Sequence, residues 1–506
     1  MHTPRFLHRG HQVVKSLGSF LVPALLGSAF SPGEDTEHTH TANANLLRDR
    51  LEGLGPVFVK LGQLLSTRPD LLSSTYTDAL RGLQSRVSPM EESAVVRSLS
   101  LYEKRLGKNP FTYMDKTPIA AASLAQVHRA KLQDGTWVAV KIRREGVVRT
   151  VEEDLKLLKY TSNILQRLIP EGERQIYDLP GTVEELSISL RDELDLRNEA
   201  ENLLLFGRNL TEWKPLLSVP YVYEDLCTDS VLVMELISGQ PLTSHKTTDL
   251  DSVHRRRLAT ALAHAYFKMF FVDGVFHADP HPGNVLLTDD GNLVLLDFGM
   301  IGRIERQVSD NLVRVLLNFQ LRDSHGVAHA FLDIGKPTST ADEIGWIMEV
   351  RRLLPRYHGM RLERLNVGTL LIDLLRSAAR CGIQAPPIVA LLCKSLANMD
   401  GSARLVDPDI SVLAVFRDFL PSILLDHAQR RASPEEAAKV ALDLSMGPDR
   451  AATPANGGAC LRALPHARGV LDAGLVDPGQ VVGRCDATHR GDCGACVRLL
   501  ATLRRP

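Results

Sequence analysis

Cysteine is scarce in this 506-residue chain. There are seven, and four of them lie after residue 459, which leaves only Cys227, Cys381 and Cys393 for the body. That excludes a disulfide framework and fits a reducing compartment. Net charge is also nearly absent: 59 Lys and Arg against 60 Asp and Glu leave −1. No bulk field recruits nucleic acid, and none is expected as a partner. The sequence lacks an apolar run of about 18 residues, so no membrane-spanning helix is expected. The nearest stretches are residues 17–30, which are short and contain Pro23, and residues 410–425, which carry Arg417 and Asp418.

Two regions are defined by missing residue types. Residues 1–33 contain no Asp or Glu but several Arg, Lys and His. That pattern fits a targeting segment or an interfacial helix, and equally a solvated terminus. Residues 466–506 contain no Lys, Glu, Phe, Tyr, Trp or Ile, yet six Arg, and are expected to be disordered. Within them Cys485, His489, Cys493 and Cys496 give C-x3-H-x3-C-x2-C. The ligand types suit tetrahedral zinc, but the spacing is compressed and no apolar core surrounds it, so disorder is the stronger expectation.

What is present describes an ordinary globular chain, 44% hydrophobic and 24% charged, with enough apolar material for a large core. At about 150 residues each, the length allows roughly two to four domains. Residues 34–46 are polar and read as a linker. Leu54, Val57, Phe58, Leu61, Leu64 and Leu65 then recur at helical spacing, with a break at Arg68-Pro69-Asp70 and a second helical stretch from Tyr76. Residues 117–143 switch to short β-rich runs around Asp134-Gly135, a hairpin signal. Helical patterns return over 147–168 and 182–210, strands over 219–237, and a long helix over 250–272. Two short strands follow around Asn292, and from about residue 307 the pattern is helical to about 444. The division expected is a basic and polar segment (1–45), a helical extension (46–110), an N-lobe (111–237), a C-lobe (238–335), a C-terminal helical region (336–446) and a tail (447–506).

The chemistry concentrates in "FHADPHPGNVLLTDDGNLVLLDFG", residues 276–299. Asp279 and Asn284 stand five apart, as in a kinase catalytic loop, and Asp297 opens "DFG". Phosphoryl transfer needs a positioned clamp and a hard cation more than covalent chemistry. Asn284 and Asp297 offer oxygen ligands for Mg²⁺, while Asp279 orients the attacking oxygen. Upstream, Lys141 lies inside the apolar strand "VAVKI". A lysine there needs a partner for its ammonium, and a later helix offers Glu193, Glu199 and Glu201; an edge strand with a snorkelling lysine is the alternative. Three absences then argue against a protein kinase. The usual catalytic-loop lysine position holds His281. No "APE" follows "DFG", so there is no room for a peptide-docking activation segment. No glycine-rich loop precedes Lys141; Ala120, Ala121, Ala122 and Ser123 stand there, and alanine is stiffer than glycine.

"FVKLGQLLSTRPDLL" (58–72), "PIAAASLAQVHRAKLQDG" (118–135), "DELDLRNEAENLLLF" (192–206) and the 276–299 stretch together resemble the UbiB (AarF-type) atypical kinase family, over roughly residues 45–425. The resemblance implies an α+β, two-lobed protein-kinase-like fold with helical N-terminal and C-terminal extensions, the first folded over the active site. It assigns Lys60, Gly62 and Gln63 to a "KxGQ" motif, Glu193 and Asp195 to "ExD", and Glu199 as partner of Lys141. It places the nucleotide between the alanine loop and a hinge at Met234-Glu235-Leu236. Lys60 and Gln63, at i and i+3, share a helix face that is expected to lie against Glu193 and Asp195. The resemblance further implies ATP or ADP with Mg²⁺, ATPase or small-molecule phosphotransfer activity, and support of ubiquinone-type biosynthesis. A small lipid-like substrate or quinone-biosynthesis proteins are the implied partners, and the implied location is cytoplasmic and peripheral to a membrane. The spanning helices that end many bacterial members are missing here. Two other readings stay open: an aminoglycoside/choline-kinase type phosphotransferase, which shares the "D-x-H-P-x-N" loop but not "KxGQ" plus "ExD", and a non-catalytic nucleotide-binding scaffold.

Overall fold

The Asp134-Gly135 turn starts the first sheet. A computed structural model describes residues 9–13, 15–16, 37–66, 72, 74–81, 83, 88–169, 178–244, 250–339, 341–360 and 365–431. In it β1 (Phe111–Met114), β2 (Ala120–Ala121), β3 (Ala125–Leu132), β4 (Trp137–Arg143) and β6 (Val231–Glu235) form one antiparallel sheet. Its order is β1-β3-β4-β6, with β2 on β3. Gly135 closes the β3–β4 hairpin at φ +91°, a backbone glycine adopts cheaply. Lys141 sits on β4 with Val127 on one side and Leu232 on the other. The strand is central, so the edge-strand alternative for this lysine does not hold.

The N-terminal helices α1 (Glu37–Leu54), α2 (Pro56–Ser66) and α3 (Ser74–Arg81) share one core with α5 (Val147–Leu168) and α6 (Leu179–Leu194). Leu51, Val57, Phe58, Leu80, Val151, Leu155, Leu186 and Leu190 are all buried there. Each such side chain contributes about 1.5–3 kcal/mol relative to exposure. That gain explains the first correction: residues 37–46, expected as linker, are helical, because burying Ala44, Leu51 and Leu54 outweighs a weak local preference. Gly62 is needed for this packing, since a Cβ there would lie 2.2 Å from Leu83 and 3.0 Å from Leu51. Helix α4 (Glu92–Leu106) instead joins the sheet core through Val95 and Tyr102.

The continuous helix expected over 182–210 is two helices. Asp195, in extended conformation, ends α6 and caps α7 (Leu196–Asn209) by accepting from Arg197 N. The stretch 219–237 is less regular than expected. After β5 (Leu217–Ser218) it holds a lone bridge from Val222 to Met234 and a turn at Glu224–Leu226 before β6.

The lower lobe follows. α8 (Ser252–Lys268) runs through a π turn, Met269–Asp273, into β8 (Val275–His277). β7 (Gly239–Pro241), β9 (Val285–Thr288) and β10 (Leu293–Leu295) make a sheet with β5, and β11 (Ile301–Arg303) pairs with β8. Helices α9 (Arg306–Gln320), α10 (Ser324–Leu332), α11 (Glu343–His358), α12 (Val367–Arg380), α13 (Pro387–Val406) and α14 (Val412–Arg431) complete the chain. They are interrupted by a small pairing of β12 (Lys336–Pro337) with β13 (Ile383–Gln384), where the pattern read as helix throughout. The chain divides into Met1–Phe419 and Leu420–Pro506; of the second, only the end of α14 is described. The break at residues 68–70, the tail from 447 and its Cys485, His489, Cys493 and Cys496 lie outside the described residues. Among the described residues no helix is long and apolar enough to cross a membrane.

Candidate active site

Three elements distant in sequence meet at one ammonium. Lys141 of β4 donates to Glu199 of α7 at 2.8 Å and to Asp297 at 3.2 Å. Glu199 is buried, while the Asp297 side chain is 54% exposed to the cleft. Burial pulls the lysine's pKa down, but attraction to Asp297 and then Glu199 outweighs it and holds the ammonium above its ordinary value. Burial pushes the Glu199 carboxyl up, with Lys141 opposing. Asp297 is the second carboxylate that keeps this lysine charged. Its own pKa falls to about 2, through Lys141 first, against burial, then His277, although solvent in the cleft screens part of that attraction. Asp297 has φ +59°, the left-handed region that aspartate tolerates better than most residues. Phe298 beyond it is buried between Phe206 of α7 and His277, both ring centroids 4.7 Å away. Asn202 Nδ2 also donates to Phe298 O at 2.9 Å. The helix carrying Glu199 is therefore fastened to the "DFG" turn by packing and by a hydrogen bond.

The loop beneath is held by an internal histidine. His277 Nδ1 accepts from Asp279 N at 3.1 Å, so Nε2 carries the proton and donates to Leu296 O at 2.9 Å. Burial keeps this imidazole neutral by lowering its pKa. One ring thus ties Asp279 to the residue before Asp297. Asn284 Nδ2 donates to Asp279 O at 3.1 Å, which leaves its Oδ1 as a hard oxygen, and Asn284 O accepts from Leu296 N at 2.8 Å, one residue before Asp297. That donor set fits Mg²⁺, which takes one or two protein oxygens and completes its shell with phosphates and water. Among the described residues no cluster of three or more His, Cys, Asp or Glu forms a dedicated metal cage. Tyr266 of α8 lies under the loop. Among the described residues its buried hydroxyl has no hydrogen-bond partner, and burial, with the charge of Asp279, raises its pKa.

The extension reaches the same cluster. Lys60 of α2 donates to Glu193 at 2.6 Å, and a Cβ at Gly299 would lie 3.9 Å from Glu193 Cγ and 4.0 Å from Glu199 Oε2. The rest of the expected facing does not occur. Asp195 pairs with Arg197 and, placed at the break between the helices, caps α7; two residues from Glu193, it would not share that residue's face even in an unbroken helix. Gln63 donates to Leu83 O at 3.3 Å, inside the extension. Two further contacts hold the extension: Arg9, paired with buried Asp154 of α5 at 2.7 Å, also donates to Leu54 O at 2.5 Å, and Arg376 of α12 pairs with Asp78 of α3 at 2.8 Å.

In the alanine loop expected to hold the nucleotide, Ala120 and Ala121 lie in β2, and Ala122 N donates to Ala125 O at 2.8 Å in the turn that also holds Ser123. Arg144 donates to Ala122 O and to Ser88 O, each at 2.8 Å. The Arg144-Glu145-Gly146 turn carries no obvious signal in sequence, yet its arginine braces the alanine loop. The stretch expected as hinge, Met234-Glu235-Leu236, ends β6. There Glu235 N donates to Tyr221 O at 2.8 Å, and the Glu235 carboxylate accepts from Tyr221 N at 3.1 Å. The helical pattern over α13 gave no sign of its contact with the loop: Asn398 donates to Asp279 Oδ1 at 2.9 Å and Lys394 stands 3.6 Å from the same oxygen. Nothing local signals that contact, since it spans more than a hundred residues.

Comparison with known proteins agrees with this architecture. The ABC1 atypical kinase-like domain matches residues 82–331 and the UbiB helical domain residues 350–411. A protein of Azotobacter vinelandii named probable protein kinase UbiB is 34% identical over 399 residues, covering 76% of this chain and 73% of its own length. An uncharacterized protein of Synechocystis is 35% identical over 69% of this chain and 87% of its own. One encoded in the hydrogenase 1 5′ region of Clostridium pasteurianum is 32% identical over 74% and 70%. Among solved structures, Rv3197 of Mycobacterium tuberculosis, determined with erythromycin, matches with a TM-score of 0.52 and 24% identity over 75% of this chain and 96% of that one. That last likeness concerns the fold alone.

Proposed function

Because this chain belongs to the UbiB family of ABC1 atypical kinase-like proteins, we propose that it binds ATP or ADP with Mg²⁺ and hydrolyses ATP or passes its terminal phosphoryl group to a small acceptor. The setting is support of isoprenoid-quinone biosynthesis, with the protein peripheral at a membrane. The observation that carries this reading is the pairing of Lys141 with Glu199, the ion pair a kinase needs before it can act, with Asp297 bonded to the same ammonium. Lys141 binds the nucleotide phosphates, Ala120 to Ser123 cover them, Glu235 and Leu236 line the base, and Asp279 receives the proton of the attacking oxygen. Asn284 and Asp297 hold the metal, whose charge, when bound, offsets that of the phosphates.

Only residues 300–305 separate "DFG" from α9, and three of them, Ile301–Arg303, pair back onto β8. That favours water or a small acceptor over a docked protein. The link from Lys60 to Glu193 is what separates this reading from an aminoglycoside/choline-kinase type enzyme.

The test is nucleotide hydrolysis by the purified chain, with and without liposomes, beside Asp297→Asn. Wild type should hydrolyse ATP, faster with liposomes, and the variant should lose at least tenfold. Equal rates would remove Asp297 as metal ligand. Tight Mg-nucleotide binding without turnover in either would favour the scaffold. For the quinone role, the chain should restore quinone content in bacteria lacking their own UbiB, and Asp297→Asn should not.

A further inference from the structure

The transferred phosphoryl group spreads negative charge over three oxygens and needs cations fixed around it. At the catalytic-loop position where a lysine is usual, this chain has His281. Its Nδ1 accepts from Gly283 N at 3.0 Å, capping the short turn Pro282–Asn284. A Cβ at Gly283 would lie 2.8 Å from that ring, so the imidazole is folded onto its own turn, and the loop offers no cation of its own beside Asp279.

Helix α13 brings one. Lys394 Nζ stands 3.6 Å from Asp279 Oδ1, an ion pair beyond hydrogen-bond length, so the ammonium is held near the carboxylate by charge and not by a hydrogen bond. Asn398 donates to that same oxygen at 2.9 Å. Ser395 Oγ donates to His277 O at 2.7 Å and Ser402 Oγ to Pro280 O at 3.0 Å, both buried. Lys394, Asn398 and Ser402 recur at i, i+4 and i+8, one face of the helix, with Ser395 adjoining. The whole face lies along the catalytic loop from residue 277 to 280.

We infer that Lys394 is the catalytic cation of this floor, contacting the γ-phosphoryl group from the helical region, and that Asn398 is a positioning residue aiming the Asp279 carboxylate. The inference rests on the phosphotransfer reading above. In the step, the attacking oxygen of water or a small acceptor bonds to the γ-phosphorus. The bond from phosphorus to the β–γ bridging oxygen breaks, its electron pair staying with ADP. The proton of the attacking oxygen passes to Asp279. Lys394 holds a γ-oxygen throughout and neither gains nor loses a proton.

The test measures ATP and ADP affinity, steady-state hydrolysis and melting temperature for wild type, Lys394→Met, Lys394→Arg and Asn398→Ala. Lys394→Met should weaken ATP binding about tenfold relative to ADP and lower kcat about a hundredfold, with ADP affinity and melting temperature near wild type. Lys394→Arg should recover part of both losses. Asn398→Ala should lower kcat without altering the ATP-to-ADP ratio. A Lys394→Met protein that hydrolyses ATP and discriminates ATP from ADP like an active wild type overturns the Lys394 assignment and leaves the phosphotransfer reading standing. A wild type that binds neither nucleotide overturns both.

Discussion

Lys141→Met removes the ammonium that is hydrogen-bonded to both Glu199 and Asp297. The consequences differ between them. Asp297 is 54% exposed and can be hydrated where it stands. Glu199 is 5% exposed and cannot. Stranding a buried charge by deleting its partner costs about 3–5 kcal/mol, and most of that should fall on Glu199. The carboxyl has an escape, which is to take up a proton, and its pKa, already pushed up by burial with Lys141 opposing, will rise further without the lysine. The sign follows. With the folded pKa above the unfolded value, the folded variant binds more protons, and its stability falls as pH rises through that window. Chemical denaturation of wild type, Lys141→Met and Lys141→Met/Glu199→Gln at about pH 5 and pH 8 measures this. The single variant should be less stable by about 3 kcal/mol at pH 8 and by clearly less at pH 5. The double variant should recover most of the loss and show no such pH dependence, since nothing titrates at position 199. Equal stability of wild type and Lys141→Met at both pH values would refute the picture of a buried, lysine-dependent carboxylate.

Other perturbations probe the rest of the assembly. Lys60→Ala breaks a half-buried pair worth about 1 kcal/mol or less, so stability should barely change while the ratio of ATP to ADP affinity shifts; an unchanged ratio would uncouple the extension from the site. Gly368→Ala puts a Cβ 2.3 Å from Ala397 N, where backbone cannot yield as a side-chain tip can. It should force α12 from α13, cost about 1–3 kcal/mol or more, and lower hydrolysis because α13 carries Asn398; a wild-type melting temperature would contradict that packing. Asp297, at about 2, stays ionised far below neutrality. Its contribution to stability is present above the unfolded aspartate value and is lost only as pH falls through about 2. Mg-nucleotide affinity should therefore stay flat down to about pH 4 as far as this group is concerned, and replacing it by Asn should weaken affinity at every pH in that range.

Local pattern determined a good deal of this protein. The Asp134-Gly135 hairpin, the helix over 147–168 and the strands flanking Asn292 follow from turn chemistry and hydrophobic period, which act over a few residues. The lysine in "VAVKI", the Asp279–Asn284 spacing and "DFG" announce phosphate chemistry for the same reason: each is a short stretch whose residue types are costly without a task. What tertiary structure alone decided are the contacts between such stretches. Residues 37–46 are helical because of what they bury elsewhere in the fold. At a one-residue break Asp195 caps α7 and pairs with Arg197, while Glu193 pairs with Lys60, a choice no pattern of apolar residues encodes. Arg144 braces the alanine loop, and Lys394 and Asn398 reach Asp279, across distances in sequence over which side-chain spacing carries no information. Packing of α13 on the loop, through buried serine hydroxyls and a close helix approach at Gly368, is what brings a cation to the place where the loop has none.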